Sequence, residues 1–296
     1  MHVGITILPE YDWPEARARW RAAEELGFDD AWTFDHLGFG ALLDAPWYGA
    51  VPTLAAAASV TSSIRLGTLV STPNVRHPLS FARDLMALDS ISNGRISCGL
   101  GSGSTGYDAR VFGARGRVAH RGRRFAEFVE LLDLLLREDD VSWQGEFYEA
   151  VGARTVPGCR QQPRLPFVVA ANGPLAMEVA ERFGQGWVTE GGDGHEHLED
   201  WWAAVAGLAA RFTAPGLRRI LQTDAAPVYA LSSVACFLDF VGRAEELGFT
   251  DIAVPWPRSS GPWAGRQSIV EEVAAARPGT KAPGPAPIPA PEVRGG

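Results

Sequence analysis

Apolar residues fall into two rhythms along this chain. Short, nearly continuous runs, the mark of strands buried on both faces, begin at His2 (HVGITIL), Ala31 (AWTF), Ile64 (IRLGTLV), Arg95 (RISCGLG), Pro166 (PFVVAA), Trp187 (WVTE), Ala226 (APVYAL) and Asp251 (DIAVPW). Between most of them, WPEARARWRAAEELG, HPLSFARDLMALDSIS, GRRFAEFVELLDLLLRED, PLAMEVAERFG and CFLDFVGRAEELG space their apolar residues by three and four, as helices with one buried face do. Eight strands alternating with helices predict an α/β fold closed as a (β/α)8 TIM barrel.

The joints repeat. AEELGFDDAW returns as AEELGFTDIA, with a looser copy in AERFGQGWVT. Each reads as a last helical turn, a glycine (Gly27, Gly248, Gly184) suited to the left-handed conformation that ends a helix, and a strand. Two stretches break the alternation as insertions after strand four and before strand five. STGYDARVFGARGRVAHRG reads as an extended loop, and VSWQGEFYEAVGARTV as a hairpin turning at Gln144-Gly145. Residues 1–277 form one barrel domain in this reading. Residues 278–296, PGTKAPGPAPIPAPEVRGG, carry too few apolar side chains to pack and read as a disordered tail.

Composition narrows the partners. A net charge of −8 gives no basic surface for nucleic acid, so the expected ligand is a small molecule. Cys98, Cys159 and Cys236 form no CxxC pair, so neither a zinc site nor a disulfide framework is indicated. The start, MHVGITILPEYDW, lacks a signal-peptide pattern, and no stretch approaches the roughly 20 apolar residues of a membrane span. A cytoplasmic location is the expectation.

Barrel chemistry sits at the carboxyl-terminal strand ends. Strand two ends in Asp35-His36, an acid beside an imidazole; the pair suits proton transfer and equally a structural hydrogen bond. Strand four leaves through Gly101-Ser102-Gly103, where absent side chains let a flat ring or phosphate approach, or simply start a flexible loop. Strand five runs through Ala171-Asn172-Gly173 into a helix opened by Pro174, either a phosphate site or an ordinary turn. Arg115, Arg117, Arg121, Arg123 and Arg124 cluster in an otherwise acidic chain, as an anion site or a solvated run. No HxH follows strand one and no GxSxG occurs, and Glu190 has no evident carboxylate partner for a glycosidase. Redox chemistry on a bound cofactor remains.

FDHLG, the block from PTLAAAASVTSS to ISCGLGSG, and AANGP together resemble the bacterial luciferase-like family of flavin-dependent oxidoreductases, from about Val3 to Val273. The resemblance implies a TIM barrel, a homodimer, and a flavin-type ring at the barrel mouth. Asp35-His36 is similar to the pair of the branch that uses the deazaflavin F420, with the histidine near substrate and the acid orienting it or bonding the ring. Leu69-Val70 falls where that branch has a non-proline cis peptide backing the deazaflavin. The resemblance also assigns Gly101, Ser102 and Gly103 to the cofactor segment, Ala171, Asn172 and Gly173 to the phosphate turn, and the arginine cluster to the polyglutamate tail of F420. Ser104 and Gly40 stand near where the family's sugar-phosphate dehydrogenase has a glutamate and a tryptophan, so that substrate is not implied. The expected activity is hydride transfer between F420 and a small organic substrate; the alternatives are an FMN-dependent monooxygenase and a cofactor-binding protein without catalysis.

Overall fold

The computed structural model describes residues 1–104, 106–112 and 120–277. The expected tail, 278–296, lies outside the described residues, as do Arg115 and Arg117. Strands β1 (His2–Thr6), β2 (Asp30–Thr33), β3 (Arg65–Ser71) and β4 (Ile96–Leu100) are followed by the hairpin strands β5 (Asp140–Gln144) and β6 (Glu149–Arg154). Then come β7 (Phe167–Ala170), β8 (Gly186–Thr189), β9 (Arg218–Gln222) and β10 (Asp251–Pro255). Eight of these pair in parallel as a closed barrel in the order β1-β2-β3-β4-β7-β8-β9-β10, and β10 returns to β1 from His2↔Asp251 to Thr6↔Pro255.

Helices α1 (Trp13–Glu25), α2 (Ala50–Val60), α3 (Pro78–Ile91), α5 (Arg121–Arg137), α6 (Pro174–Phe183), α7 (Leu198–Arg211), α8 (Val234–Glu246) and α9 (Ile269–Ala276) lie along the strand sequence, with the short α4 (Tyr107–Val111) after β4. Their apolar faces meet the outside of the barrel through Trp20, Phe81, Phe128 and Phe240, and Trp187 of β8 joins the same core. The inside is a second core of Trp32, Leu69, Val168, Val188, Ile220 and Ala253. Gly67 leaves room for Trp32 inside the barrel, since a Cβ there would stand 2.6 Å from the indole ring and 2.3 Å from the Ser97 carbonyl oxygen.

Several expectations change. The seventh barrel strand is Arg218–Gln222, not APVYAL from Ala226, which folds as a loop and a 3-10 turn at Ala230–Ser232. Paired arginines disguise the strand: Arg218 bridges Asp30 and Asp251 at the barrel's amino-terminal end, while Arg219 turns out to the Ala209 and Phe212 carbonyls. APVYAL is apolar because Ala230 and Leu231 are buried under the loop. Gly27 and Gly248 are left-handed, at φ 73° and 78°, but Gly184 is not (φ −79°). Its requirement is space: a Cβ would lie 2.6 Å from the Ala180 carbonyl oxygen. The first insertion contains α4 rather than only extended chain, and the second is the expected antiparallel hairpin.

The amino-terminal end of the barrel is fastened by arginines that donate to carbonyls at helix ends: Arg95 to Ala58 of α2 and to Thr61 just beyond it, Arg164 to Phe183 of α6, Arg219 to Ala209 of α7 and to Phe212 just beyond it, and Arg277 to Leu26 and Gly27 beyond α1. These groups have no partner within their own helix, and their end of the dipole favours a cation. Among the described residues no helix is long and apolar enough to cross a membrane.

Candidate active site

The carboxyl-terminal strand ends surround a cavity of about 1200 Å³. Its floor is the top of the inner barrel core, Leu69, Val70, Ala170 and Val188, and the Leu69-Val70 peptide is cis. Gly101 holds β4 against this floor, because a Cβ there would meet Val70 Cγ2 at 2.6 Å. Gly103 is left-handed, at φ 78°, and passes close over Asn74. The Asn74 amide donates to the Ser104 carbonyl at 3.0 Å and its oxygen accepts from the buried Arg124.

Beside this floor, β7 exits through Ala171, Asn172 and Gly173. The Trp187 indole donates to the Ala171 carbonyl at 2.8 Å, and the Thr189 hydroxyl donates to the Asn172 amide oxygen at 2.7 Å. Gly173 is the residue before α6; no side chain caps the helix there, and a Cβ would meet nothing within 4 Å. The first amides of α6 are therefore left to a ligand or solvent, the arrangement that suits a phosphate. Of the described arginines in the expected cluster, Arg121 lines the cavity; Arg123 pairs with Glu146 at 2.7 Å outside it.

On the opposite wall, His36 Nδ1 lies 2.6 Å from Asp108 Oδ2, and Asp108 Oδ1 accepts from the Leu37 amide at 2.9 Å. The Trp47 indole donates to the His36 carbonyl at 2.8 Å. Phe34 and Phe39 flank the imidazole, with ring centroids at 5.9 and 5.5 Å. Hydrogen bonds and packing thus fix the ring on both sides and leave Nε2 outside the Asp108 bond.

Asp35 does not orient His36. Its carboxylate accepts from Ser71 Oγ (2.6 Å) and from Arg76 Nε and Nη2 (2.8 and 2.6 Å), it is buried, and it does not line the cavity. A buried carboxylate needs such partners, and Arg76 supplies both a charge and a two-pronged fit. The acid on His36 is Asp108, hidden from sequence reasoning because a five-residue helix shows no period.

A second acidic group faces the cavity where Glu190, Asp193 and Asp224 follow β8 and β9. Glu190 therefore has carboxylate neighbours, and the misplaced seventh strand had concealed Asp224. Burial first, then Asp224 and Asp193, push the Glu190 carboxyl up to about 8. Burial likewise raises Asp224, to about 6, against the bonds that its own backbone and Gln222 provide. The Trp263 indole donates to the Asp224 carbonyl at 3.1 Å while its ring stacks on Phe39 at 6.2 Å, which links this arc to the His36 wall. Among the described residues no group of three metal-ligating side chains comes together.

Comparison with known proteins agrees with this architecture. The family model described as luciferase-like monooxygenase matches residues 1–229. An F420-dependent glucose-6-phosphate dehydrogenase of Amycolatopsis mediterranei (strain U-32) is 33% identical over 187 residues, 60% of this chain; the match spans about half of that relative, 54%. The enzyme of the same name from Kineococcus radiotolerans is 30% identical over 264 residues, covering 81% of this chain and 78% of the relative. In fold, the chain is similar to the coenzyme F420-dependent tetrahydromethanopterin reductase of Methanopyrus kandleri, with a TM-score of 0.72 at 18% identity over 93% of this chain and 97% of that one.

Proposed function

The chain belongs to the luciferase-like monooxygenase family, and from that premise we propose that it is an oxidoreductase that binds the deazaflavin F420 and moves a hydride between it and a small organic substrate. The observation that carries this reading is the union, in one cavity, of an apolar floor, an uncapped helix amino terminus and a carboxylate-held imidazole. The two curated relatives described above are both named as F420-dependent. A cavity of about 1200 Å³ exceeds the roughly 300–1,000 Å³ of a typical ligand pocket, which suits a large cofactor beside a small substrate.

The residues present fit the group. Leu69 and Val70 offer an apolar surface for a flat ring, and Gly101, Ser102 and Gly103 keep the adjoining wall free of bulk. Ala171, Asn172, Gly173 and the first amides of α6 suit the phosphate, and Arg121 suits the acidic tail. When bound, F420 supplies a ring carbon that accepts or gives two electrons as a hydride.

His36 handles the proton. With Nδ1–H donating to Asp108, Nε2 carries a lone pair, so it can take the hydroxyl proton of an alcohol as the carbon–hydrogen bond is lost and return it in the reverse direction. Asp108 positions the imidazole and sets this tautomer. Asp35 acts farther back, holding Ser71 and Arg76 behind the β3 exit.

Titration of the protein with F420 and, separately, with FMN tests the proposal. Saturable F420 binding in preference to FMN is expected; preference for FMN would favour a monooxygenase, the activity in the family's description. A folded His36→Ala protein should keep F420 affinity and lose about 10²–10⁴-fold in turnover; unchanged turnover would remove His36 from the mechanism.

A further inference from the structure

The arc of the cavity from β8 to β10 differs in chemistry from the arc at β7. At β7 stand an open helix amino terminus and Arg121; along β8 to β10 stand Glu190, Asp193 and Asp224, with the Trp263 ring on the same wall. Asp224 Oδ1 is buried and accepts no hydrogen bond. Buried polar atoms almost always have partners, so an orphaned oxygen on a residue that lines the cavity points to a missing donor. Glu190 feels burial and two other carboxylates, and no cation offsets them. Among the described residues, the other charged or titratable groups lining the cavity are Arg110, Arg121, Asp108, His36, Tyr107 and Tyr229. Of these, Asp108 is already committed to His36.

A phosphate or carboxylate brought to this arc would add a negative charge to the carboxylates, whereas an ammonium group would satisfy the orphaned oxygen and neutralise the pair. Aromatic faces beside carboxylates favour the same guest, since a cation is attracted to the ring face as well as to the oxygens. Phe39 and Trp263 supply those faces and reach from Asp224 to the His36 ring, so one molecule can touch the acidic arc and the catalytic wall together.

We infer that this arc selects a substrate bearing a protonated amine, held by Glu190 and Asp224 against Trp263, and that it rejects sugar phosphates. The inference rests on the oxidoreductase reading above. The reaction class is oxidation of an amino alcohol to an amino ketone, or its reverse: the carbinol hydrogen leaves with its electron pair to F420, and the hydroxyl proton goes to His36.

The test uses four probes: trans-4-aminocyclohexanol, cyclohexanol, 4-hydroxycyclohexanecarboxylate and glucose 6-phosphate. Each is titrated by calorimetry near neutral pH into the full-length protein, F420-loaded and F420-free, in two buffers of different ionisation enthalpy. The amine should bind at least about tenfold more tightly than cyclohexanol, and its heat should depend on the buffer because Glu190 gives up its proton to meet the cation. Glu190→Gln and Asp224→Asn, both close in shape to the originals, should each erase most of the amine's advantage. Equal or tighter binding of either anion, no preference for the amine, or an amine preference that survives in both variants would overturn the inference. Failure of F420 to bind would count against the proposed function instead, and the amine preference would still be measured on the F420-free protein.

Discussion

Replacing Asp108 by Asn tests the least expected part of the site. Asp108 Oδ1 accepts from the Leu37 amide, and an asparagine oxygen can keep that bond; the other position then presents an N–H to His36 Nδ1. Two donors cannot share the 2.6 Å contact, so the imidazole must move its proton to Nε2 and expose a donor where the reaction needs an acceptor. The Asp108 side chain is only 7% exposed, so water cannot take over its role. A hydrogen bond to a charged group contributes about 1.5–3 kcal/mol, which corresponds to a loss of roughly 10- to 150-fold in kcat/KM. The loss should fall on kcat, with substrate KM and F420 affinity within about twofold, because Asp108 touches neither ligand in the proposed mechanism. Steady-state kinetics, an F420 titration and a thermal melt separate these effects, and Asp108→Glu should recover part of the rate. A folded Asp108→Asn enzyme with wild-type kcat would refute the positioning role.

Three further outcomes follow from the geometry. Gly173→Asp finds open space for its side chain and supplies a capping carboxylate to α6, so the melting temperature should hold or rise while F420 affinity falls about tenfold or more, as the new charge takes the phosphate's place; unaltered F420 affinity would move the phosphate elsewhere. Glu190 keeps in the folded state a proton that the unfolded chain releases near 4.5, so the unfolding free energy from urea titrations should fall as pH rises from about 4.5 to about 8, by at most about 1.4 kcal/mol per pH unit for one proton. Glu190→Gln should flatten that decline, and an equal slope in both proteins would contradict the burial argument. Arg218→Met leaves the buried carboxylates of Asp30 and Asp251 without their bridging guanidinium, for an expected cost of about 3–5 kcal/mol in denaturant unfolding with F420 affinity unchanged in the folded protein.

Seven of the eight barrel strands are legible because a parallel strand buried on both faces must be written as a run of apolar residues, and such runs are short and bounded by turns. The eighth is written RRILQ: its first two residues serve ion pairing and helix ends, leaving Ile220 and Leu221 as the buried signal. That displacement had a functional cost, since Asp224 lies just beyond the true strand and its pairing with Glu190 disappeared with it. The turns at Gly101 and Gly173 were visible because close approach and helix opening require particular residues locally. The His36 partner was not, because Asp108 is 72 residues away and only closure of the barrel brings the two together. Asp35 illustrates the converse: adjacency in sequence suggested a working pair, but successive residues leaving a strand point to different sides, and Asp35 turned into the wall.

The arginines at the amino-terminal end of the barrel hold main-chain carbonyls of helix ends. A fastening made to backbone is indifferent to which side chains its neighbours carry, and it lies at the end of the barrel remote from the cavity. Segments at the mouth can therefore be exchanged, lengthened or recharged with little mechanical consequence for the scaffold. This gives one barrel a wide range of accessible substrates through loop replacement alone, and it makes the segments after β4, β8 and β9 the natural positions for grafting new specificity.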